Sequence, residues 1–141
     1  MVTDHKLEHL ANVRMFSSLN NRELRRLSRA ADVLTVPGGT EIVKEGTPGR
    51  EFYMILDGKA TVRRGGRKVA QLGPGNYFGE LSLLDRGPRS ATVVADGEVE
   101  LAIIGQREFL GVLEDIPTVA QKLLVSMAAR LREADTRALS H

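Results

Sequence analysis

The sequence predicts a mainly β domain with helices at both ends. Three observations support this: helical apolar spacing near the start, short apolar runs separated by glycine and proline in the middle, and a return of helical spacing after Gly105. A chain of 141 residues builds one core rather than two. We therefore predict a single domain over 1–141, with N-terminal helices at 1–31, a β-roll at 32–104 and C-terminal helices at 106–139.

The N-terminal segment has two helical signals. Leu7, Leu10 and Val13 recur at three-residue spacing, which is typical of one apolar helix face. Asn20, followed three residues later by Glu23, resembles a capping box and predicts the start of a second helix. Two helices are therefore expected before the first strand.

The middle segment contains short runs of strand-forming residues, among them VLTV, FYMIL, KATVRR, SATVVA and EVELAII. Strands of this length with such turn signals favour an antiparallel barrel or sandwich. Asp57-Gly58 and Asp96-Gly97 lie between apolar runs and predict hairpin turns.

The C-terminal segment predicts a short helix over QREFLGVLED and a longer one whose first turn contains Pro117. The longer helix has an apolar stripe, formed by Ala120, Leu123, Leu124, Met127, Leu131 and Ala134. This stripe either packs on the β-roll or binds a partner helix, and the pattern leaves both interpretations open.

A carboxylate and a guanidinium flank a short turn in the middle segment. Between Glu80 and Arg89, the apolar residues Leu81, Leu83 and Leu84 predict one helical turn that plugs the barrel. Its N-terminus would offer unpaired backbone N–H groups to an anion. The guanidinium suits phosphate oxygens, because it is planar and always charged.

The carboxylate of Glu80 would repel a bare phosphate, but it can accept a hydrogen bond from a sugar hydroxyl. Ser82 and Ser90 add hydroxyl groups nearby. A sugar phosphate therefore explains the pair better than an inorganic anion does. The alternative is a surface Glu–Arg salt bridge on a β-roll that binds nothing.

The segment FGELSLLDRGPRSAT, residues 78–92, resembles the phosphate-binding cassette of cyclic nucleotide-binding domains. These domains occur in regulatory subunits of cyclic-AMP-dependent kinases, in nucleotide-gated channels and in bacterial regulators of the catabolite activator type. The resemblance covers roughly residues 10–135 and implies a double-stranded β-helix, a jelly-roll-like barrel. The surrounding residues that agree with it include Gly39, Ile42, Glu45, Gly46, Gly58, Gly73 and Gly75.

The resemblance implies a role for each cassette residue. Glu80 would accept from the ribose 2′-hydroxyl, Arg89 would pair with the cyclic phosphate, and backbone N–H groups around Ser82 and Ser90 would complete the cradle. The implied binding residues are Gly79, Glu80, Leu81, Ser82, Arg89, Ser90 and Ala91, with Val62 and Leu72 flanking the base. Cyclic AMP is the expected ligand. Cyclic GMP remains an alternative, because Ser90 could serve the phosphate or a guanine edge.

The final helix also resembles the dimer helix of the catabolite activator type, and Arg130 matches its arginine. Ala134 and Asp135 stand where those regulators have a Thr-Ser pair. We expect a stand-alone sensor that signals through its terminal helices, with a protein partner or a second copy bound through the C-terminal helix. The alternatives are an orphan interaction or oligomerisation module without nucleotide, or a relative of Crp/Fnr-type transcription factors that acts with a separate DNA-binding chain.

Composition argues against other classes of protein. The formal charge of +2 without a basic block predicts no direct nucleic-acid binding, and the absence of cysteine excludes thiol chemistry. The histidines, His5, His9 and His141, lie near the termini, and we interpret the first two as part of a solvated helix face. With no catalytic motif, leader or membrane-spanning run, we expect a cytoplasmic protein that is not an enzyme and holds no metal or cofactor.

Overall fold

The computed structural model describes the backbone of residues 2–139 and the side chains of residues 6–136. The strands are β1 (Ala31–Val36), β2 (Glu41–Val43), β3 (Glu51–Asp57), β4 (Ala60–Arg64), β5 (Arg67–Leu72), β6 (Tyr77–Phe78), β7 (Thr92–Ala95) and β8 (Val99–Gly105). The helices are α1 (Val2–Ala11), α2 (Asn21–Ala30), α3 (Glu80–Asp85), α4 (Gln106–Asp115) and α5 (Pro117–Leu139), with a 3-10 turn at Arg14–Phe16.

The strands form two four-stranded antiparallel sheets, ordered β1-β8-β3-β6 and β2-β7-β4-β5. The prediction of a mainly β fold with flanking helices is confirmed. The sheets stay open at their edges, however, so the predicted barrel is not closed. The chain passes repeatedly from one sheet to the other, which gives the jelly-roll arrangement without continuous pairing around the fold.

The two predicted hairpin turns are wrong. Asp57-Gly58 joins β3 to β4, and Asp96-Gly97 joins β7 to β8, but in each case the two strands belong to different sheets. These segments are corners. At Gly58, where φ is 91°, an added Cβ would collide with the Glu98 carbonyl oxygen, so the corner requires glycine for both its conformation and its space.

A hairpin does connect β4 and β5, and the sequence interpretation missed it. Arg64 pairs with Arg67, and Gly65 and Gly66 form the two-residue turn with φ of 58° and 79°. Positive φ at both central positions is what a type I′ hairpin turn requires. The Gly-Gly pair was therefore a better hairpin signal than either Asp-Gly pair.

One core lies between the helices and the first sheet. Phe52 of β3 stacks on Phe109 of α4 with ring centroids 4.7 Å apart, and Leu10, Leu27 and Leu123 are each almost fully buried around them. Burying one such side chain contributes about 1.5–3 kcal/mol. A second core between the sheets contains Ile55, Ala60, Phe78, Val93, Val99 and Leu101. The expectation of one core is therefore wrong, because the two sheets bury a cluster of their own in addition to the one that the helices cover.

The N-terminal starts of two helices agree with the sequence interpretation. Asn20 Oδ1 accepts from the Glu23 backbone N–H at 2.8 Å, and Glu23 Oε1 accepts from the Asn20 N–H at 3.0 Å, so the predicted capping box is confirmed. Pro117 begins α5, as expected. Both signals depend on local backbone chemistry, which neighbouring residues largely determine.

The apolar stripe of α5 is only partly buried. Leu123 lies in the core and Met127 packs against it, whereas Leu124 and Leu131 are each 64% exposed. Val125, which lies outside the stripe, is 70% exposed. The start of the helix therefore anchors it to the domain, and the later turns extend with apolar side chains in solvent.

His9 was expected to be solvated and is instead half-buried, with Nδ1 2.8 Å from Glu100 Oε1 on β8. That expectation was wrong for His9, because α1 packs against the sheet on this side. The side chain of His5 and all of His141 lie outside the described residues.

Candidate functional site

Gly79 forms the turn at which the chain enters the cassette. It lies between β6 and α3 with a φ of 96°, in the left-handed region. A Cβ here would lie 2.6 Å from Arg89 Nη1 and 2.8 Å from the Glu51 carbonyl oxygen. Only glycine satisfies both the dihedral angle and the space, and this turn points the next side chain, Glu80, inward.

The Arg89 side chain is buried, with only 5% exposed. Its Nη2 donates to the Glu51 carbonyl oxygen at 2.9 Å, and its Nη1 donates to the Gly79 carbonyl oxygen at 3.3 Å. Its guanidinium also lies 5.7 Å from the centre of the Tyr53 ring and 3.6 Å from Glu51 Oε2. These contacts fix the plane of the guanidinium while leaving N–H groups for a further acceptor.

The backbone of Arg89 is equally constrained. Its N–H donates to the Thr47 carbonyl at 2.8 Å, and its carbonyl accepts from the Gly46 N–H at 2.9 Å. At Gly49 an added Cβ would collide with the Ser82 side chain and lie 2.8 Å from the guanidinium carbon. The loop before β3 therefore packs closely around the Arg89 side chain.

The Glu80 side chain is buried, with 3% exposed, and it does not pair with Arg89. Its Oε1 accepts from Nη2 of Arg130 on α5 at 2.9 Å. The Arg130 side chain is half-exposed and its guanidinium lies 5.7 Å from the centre of the Tyr77 ring. A buried carboxylate requires such a partner, because desolvation without one is very costly.

The interpretation of Glu80 and Arg89 as scattered surface charges is wrong, since both are buried and face one cavity of about 310 Å³. All the binding residues that the sequence predicted line this cavity: Gly79, Glu80, Leu81, Ser82, Arg89, Ser90, Ala91, Val62 and Leu72. Its volume is at the lower end of the range usual for small-molecule sites.

Several lining residues were not predicted. Val43, Val69, Ala70 and Val93 make one side of the cavity apolar, and Arg64 and Arg130 add positive charge. The only sequence signal for Arg130 was its match to the arginine of a dimer helix. Its contact with Glu80 could not be predicted, because the two residues are 50 positions apart.

The short helix α3 has the predicted position, but only part of the predicted packing. Leu83 is 2% exposed and fills the core, whereas Leu81 and Leu84 are 48% and 42% exposed. The expectation that all three plug the barrel is therefore wrong. Leu81 and Leu84 are three residues apart and share one face of the helix, whereas Leu83 lies on a different face from Leu81, so the three side chains cannot all point inward.

The pKa of the Tyr53 hydroxyl is raised by its surroundings. Burial raises the pKa of its hydroxyl, and the nearby charge of Glu51 raises it further, while Arg89 opposes them. The hydroxyl donates to Glu51 Oε2 over 3.4 Å. Tyr53 therefore stays neutral while its ring lies beside the guanidinium of Arg89.

Within residues 6–136, no group of three or more histidine and acidic side chains is arranged to hold a metal ion. None of the described helices is both long enough and apolar enough to cross a membrane.

The fold and the cassette define a family of ligand-binding regulatory domains, and the comparison with known families agrees. The family model described as "Cyclic nucleotide-binding domain" matches residues 33–115, more than half of the chain. This chain belongs to the cyclic nucleotide-binding domain family. Cyclic nucleotides are thus the ligand class of its family.

Two sequence relatives and one solved structure place the chain within that family. It is 42% identical over 104 residues to the cyclic AMP receptor protein of Thermus thermophilus, a match that covers 70% of this chain and 48% of the relative. It is 39% identical over 112 residues to a cAMP-dependent protein kinase regulatory subunit of Aspergillus niger, covering 76% and 27%. The crystal structure of the Thermus thermophilus catabolite activator protein superposes with a TM-score of 0.82 at 36% identity, covering 88% and 61%.

The chain spans between about a quarter and a half of the length of the two sequence relatives. The resemblance to the catabolite activator and kinase regulatory-subunit types is confirmed by these matches. The activities and partners of the full-length relatives are therefore not assigned to this chain.

Proposed function

We propose that this chain is a regulatory domain that binds cyclic AMP in the cavity of the cassette and passes its state on through α5. The observation that carries the proposal is that Glu80 and Arg89 are both buried and line the same cavity. Two opposite charges held apart from one another suit a ligand that has an anionic group next to hydroxyl groups.

In the proposed complex Arg89 donates its remaining N–H groups to the cyclic phosphate, and Glu80 accepts from the ribose 2′-hydroxyl. Val62 and Leu72, with the apolar side of the cavity, contact the base. The Arg89 guanidinium is already oriented by two carbonyl oxygens, so little side-chain entropy remains to be lost on binding.

The proposed signal begins at Glu80. A ribose hydroxyl at this carboxylate would compete with Arg130 or tighten its contact, and either change acts on α5. A ligand shifts a conformational equilibrium only through a difference in affinity between the two states. The Glu80–Arg130 hydrogen bond provides such a difference, because it connects the ligand site to the helix.

We propose cyclic AMP rather than cyclic GMP because the relatives are named for it, one as a receptor and one as a kinase regulatory subunit. The Ser90 carbonyl accepts from Arg64 Nε at 3.0 Å, which holds this part of the cassette against β4.

With no catalytic group beside the proposed phosphate position, we expect binding without hydrolysis. We also expect the protein to act in the cytoplasm.

The test is calorimetric titration of the purified chain with cyclic AMP and with cyclic GMP. Arg89→Ala removes the charged partner of the phosphate, which commonly costs about 2–5 kcal/mol, so affinity should fall between roughly thirtyfold and several thousandfold. Arg63→Ala is the matched control, an exposed arginine on β4 that does not line the cavity. Equal affinity for cyclic AMP in the Arg89 and Arg63 variants would refute the assignment.

Arg89→Lys and a circular-dichroism melting curve accompany this test, because Arg89 also supports two backbone carbonyls. A folded lysine variant that binds weakly would still support the role of the guanidinium, since lysine keeps the charge but not the planar fork.

A second candidate is an oligomerisation module that works without nucleotide. The exposed Leu124, Val125 and Leu131 of α5 favour it, because a second copy or a partner helix could cover them. Light scattering with and without cyclic AMP separates the candidates: assembly that ignores the nucleotide supports the module. Action together with a separate DNA-binding chain, the third candidate, would require a salt-sensitive gel shift that appears only with that chain.

A further inference from the structure

The chain has a second, more open cavity, which we call the reverse cavity and which shares Ser82 with the ligand cavity. Its volume is about 580 Å³, and three arginines line it: Arg50, Arg86 and Arg107. Arg50 immediately precedes β3, Arg86 immediately follows α3 as its C-cap, and Arg107 lies in the first turn of α4. No acidic residue is among the described residues that line it.

The three arginines have no carboxylate partner within the described part of the chain. The acidic residues beside them make other contacts. Glu51 faces Arg89 and Tyr53, and Glu108 lies against Gly105. The Asp85 carboxylate accepts from the N–H of Gly87, a lining residue, at 2.7 Å, so it offsets part of the positive charge at that edge. Since the formal charge of the whole chain is only +2, this cavity concentrates more positive charge than the entire protein carries net.

Arg86 is unusual in its backbone. It is the only described non-glycine residue with a positive φ, at 60°. The left-handed conformation costs an ordinary residue about 1–2 kcal/mol, and a glycine here would avoid that cost. An arginine kept in a strained position at the rim of a cavity favours a binding role for its side chain.

The floor and rim of the cavity fit a peptide. Gly46, Gly49 and Gly87 leave backbone accessible, and Pro48 and Pro88 form a short bridge that stiffens the floor. Leu110 of α4, 41% exposed, gives the rim one apolar contact. A free phosphate would use neither the apolar contact nor the width of the cavity. Single-stranded nucleic acid is usually bound with aromatic side chains on which its bases stack, and none is among the described residues that line this cavity.

We propose that this reverse cavity binds an acidic segment of a partner protein that carries at least one apolar side chain. The carboxylates pair with the arginine cluster and the apolar side chain packs on Leu110. Ser82 lines both this cavity and the ligand cavity, so a partner bound here adjoins the cassette. The proposal requires no nucleotide and stands apart from the proposed function.

Fluorescence anisotropy of the full chain with a fluorescein-labelled Glu-Leu-Glu-Glu-Leu-Glu peptide tests this. Binding should weaken with salt, and the double variant Arg50→Glu/Arg107→Glu should lower affinity about tenfold or more. Arg86→Gly should lower it severalfold while the domain stays folded, because glycine accepts the local φ. Arg22→Glu, an exposed arginine at the start of α2, is the control and should change affinity by less than about twofold.

Four results would overturn the proposal. The first is that the peptide does not bind the wild-type chain. The second is that a Gln-Leu-Gln-Gln-Leu-Gln peptide binds equally well, which would remove the role of charge. Equal losses in the Arg22 variant and the double variant would point to general charge attraction. A labelled single-stranded oligonucleotide that binds more tightly than the peptide and responds to the same variants would assign the surface to nucleic acid.

Discussion

Arg130 and Glu80 connect the last helix to the cassette across 50 residues of chain, through a single hydrogen bond of 2.9 Å. The carboxylate end of this contact is buried and the arginine end is half-exposed. This asymmetry matters, because removing the arginine leaves a buried charge alone, whereas the arginine without its partner is still solvated.

We predict that Arg130→Ala lowers the free energy of unfolding by about 1–2 kcal/mol, below the value for a fully buried pair because Arg130 is half-exposed. Urea denaturation measures this, and Arg132→Ala, an exposed position on the same helix, is the control. In the Glu80→Gln background the cost of Arg130→Ala should shrink, because the buried group is then neutral. The same loss for both arginines would contradict this account of the contact.

Gly79→Ala should destabilise the domain by about 2–4 kcal/mol, because it combines left-handed strain with a clash against Arg89 and the Glu51 carbonyl. Gly75→Ala separates the two causes: its φ is similar, at 88°, but an added Cβ meets nothing within 4 Å. It should therefore cost about 1–2 kcal/mol. Thermal melts of both variants provide the comparison, and equal losses would mean that the packing around Gly79 adds nothing.

The Asp96 carboxylate accepts from the Thr61 hydroxyl at 2.7 Å and from Gln71 Nε2 at 3.1 Å, and these bonds lower its pKa. A carboxyl whose folded pKa is below its unfolded value stabilises the fold at pH values above the unfolded value. That contribution disappears as the pH falls through the folded pKa.

We therefore predict that Thr61→Val is less stable than wild type near neutral pH, and that the difference shrinks as acid protonates Asp96. Urea midpoints for both proteins, measured from neutral pH downward, give the result. A difference that stays constant with pH would show that the Thr61 hydroxyl does not act through this carboxylate.

Tyr53 should titrate at a pH above its ordinary value of 10.0, since burial and Glu51 raise its pKa. The stability associated with its neutral form is complete below that ordinary value and is lost as pH rises through the folded pKa. The chain has two tyrosines and no tryptophan, so Tyr77→Phe leaves one phenol to follow by absorbance. That variant should fold, because the buried Tyr77 hydroxyl has no partner in the described part of the chain. A midpoint at or below 10.0 would contradict the prediction.

The sequence predicted the cassette well, because its signal is local: a glycine that needs positive φ, a short helix and an arginine at a fixed distance. It predicted the sheet connections poorly. Asp57-Gly58 and Asp96-Gly97 have the composition of hairpin turns, but whether the next strand joins the same sheet depends on packing between distant segments. The Glu80–Arg130 contact was missed for the same reason, since no local pattern encodes a meeting of two distant elements.

The account depends most on Glu80 and Arg89 binding the ribose 2′-hydroxyl and the cyclic phosphate of the same nucleotide. Calorimetric titration of the wild-type chain with cyclic AMP and with 2′-deoxy cyclic AMP tests this directly, because the two ligands differ only in the hydroxyl assigned to Glu80. A hydrogen bond to a charged group contributes about 1.5–3 kcal/mol, so the deoxy ligand should bind roughly tenfold to a hundredfold more weakly. Equal affinity for the two ligands, or no binding of cyclic AMP, would contradict the account.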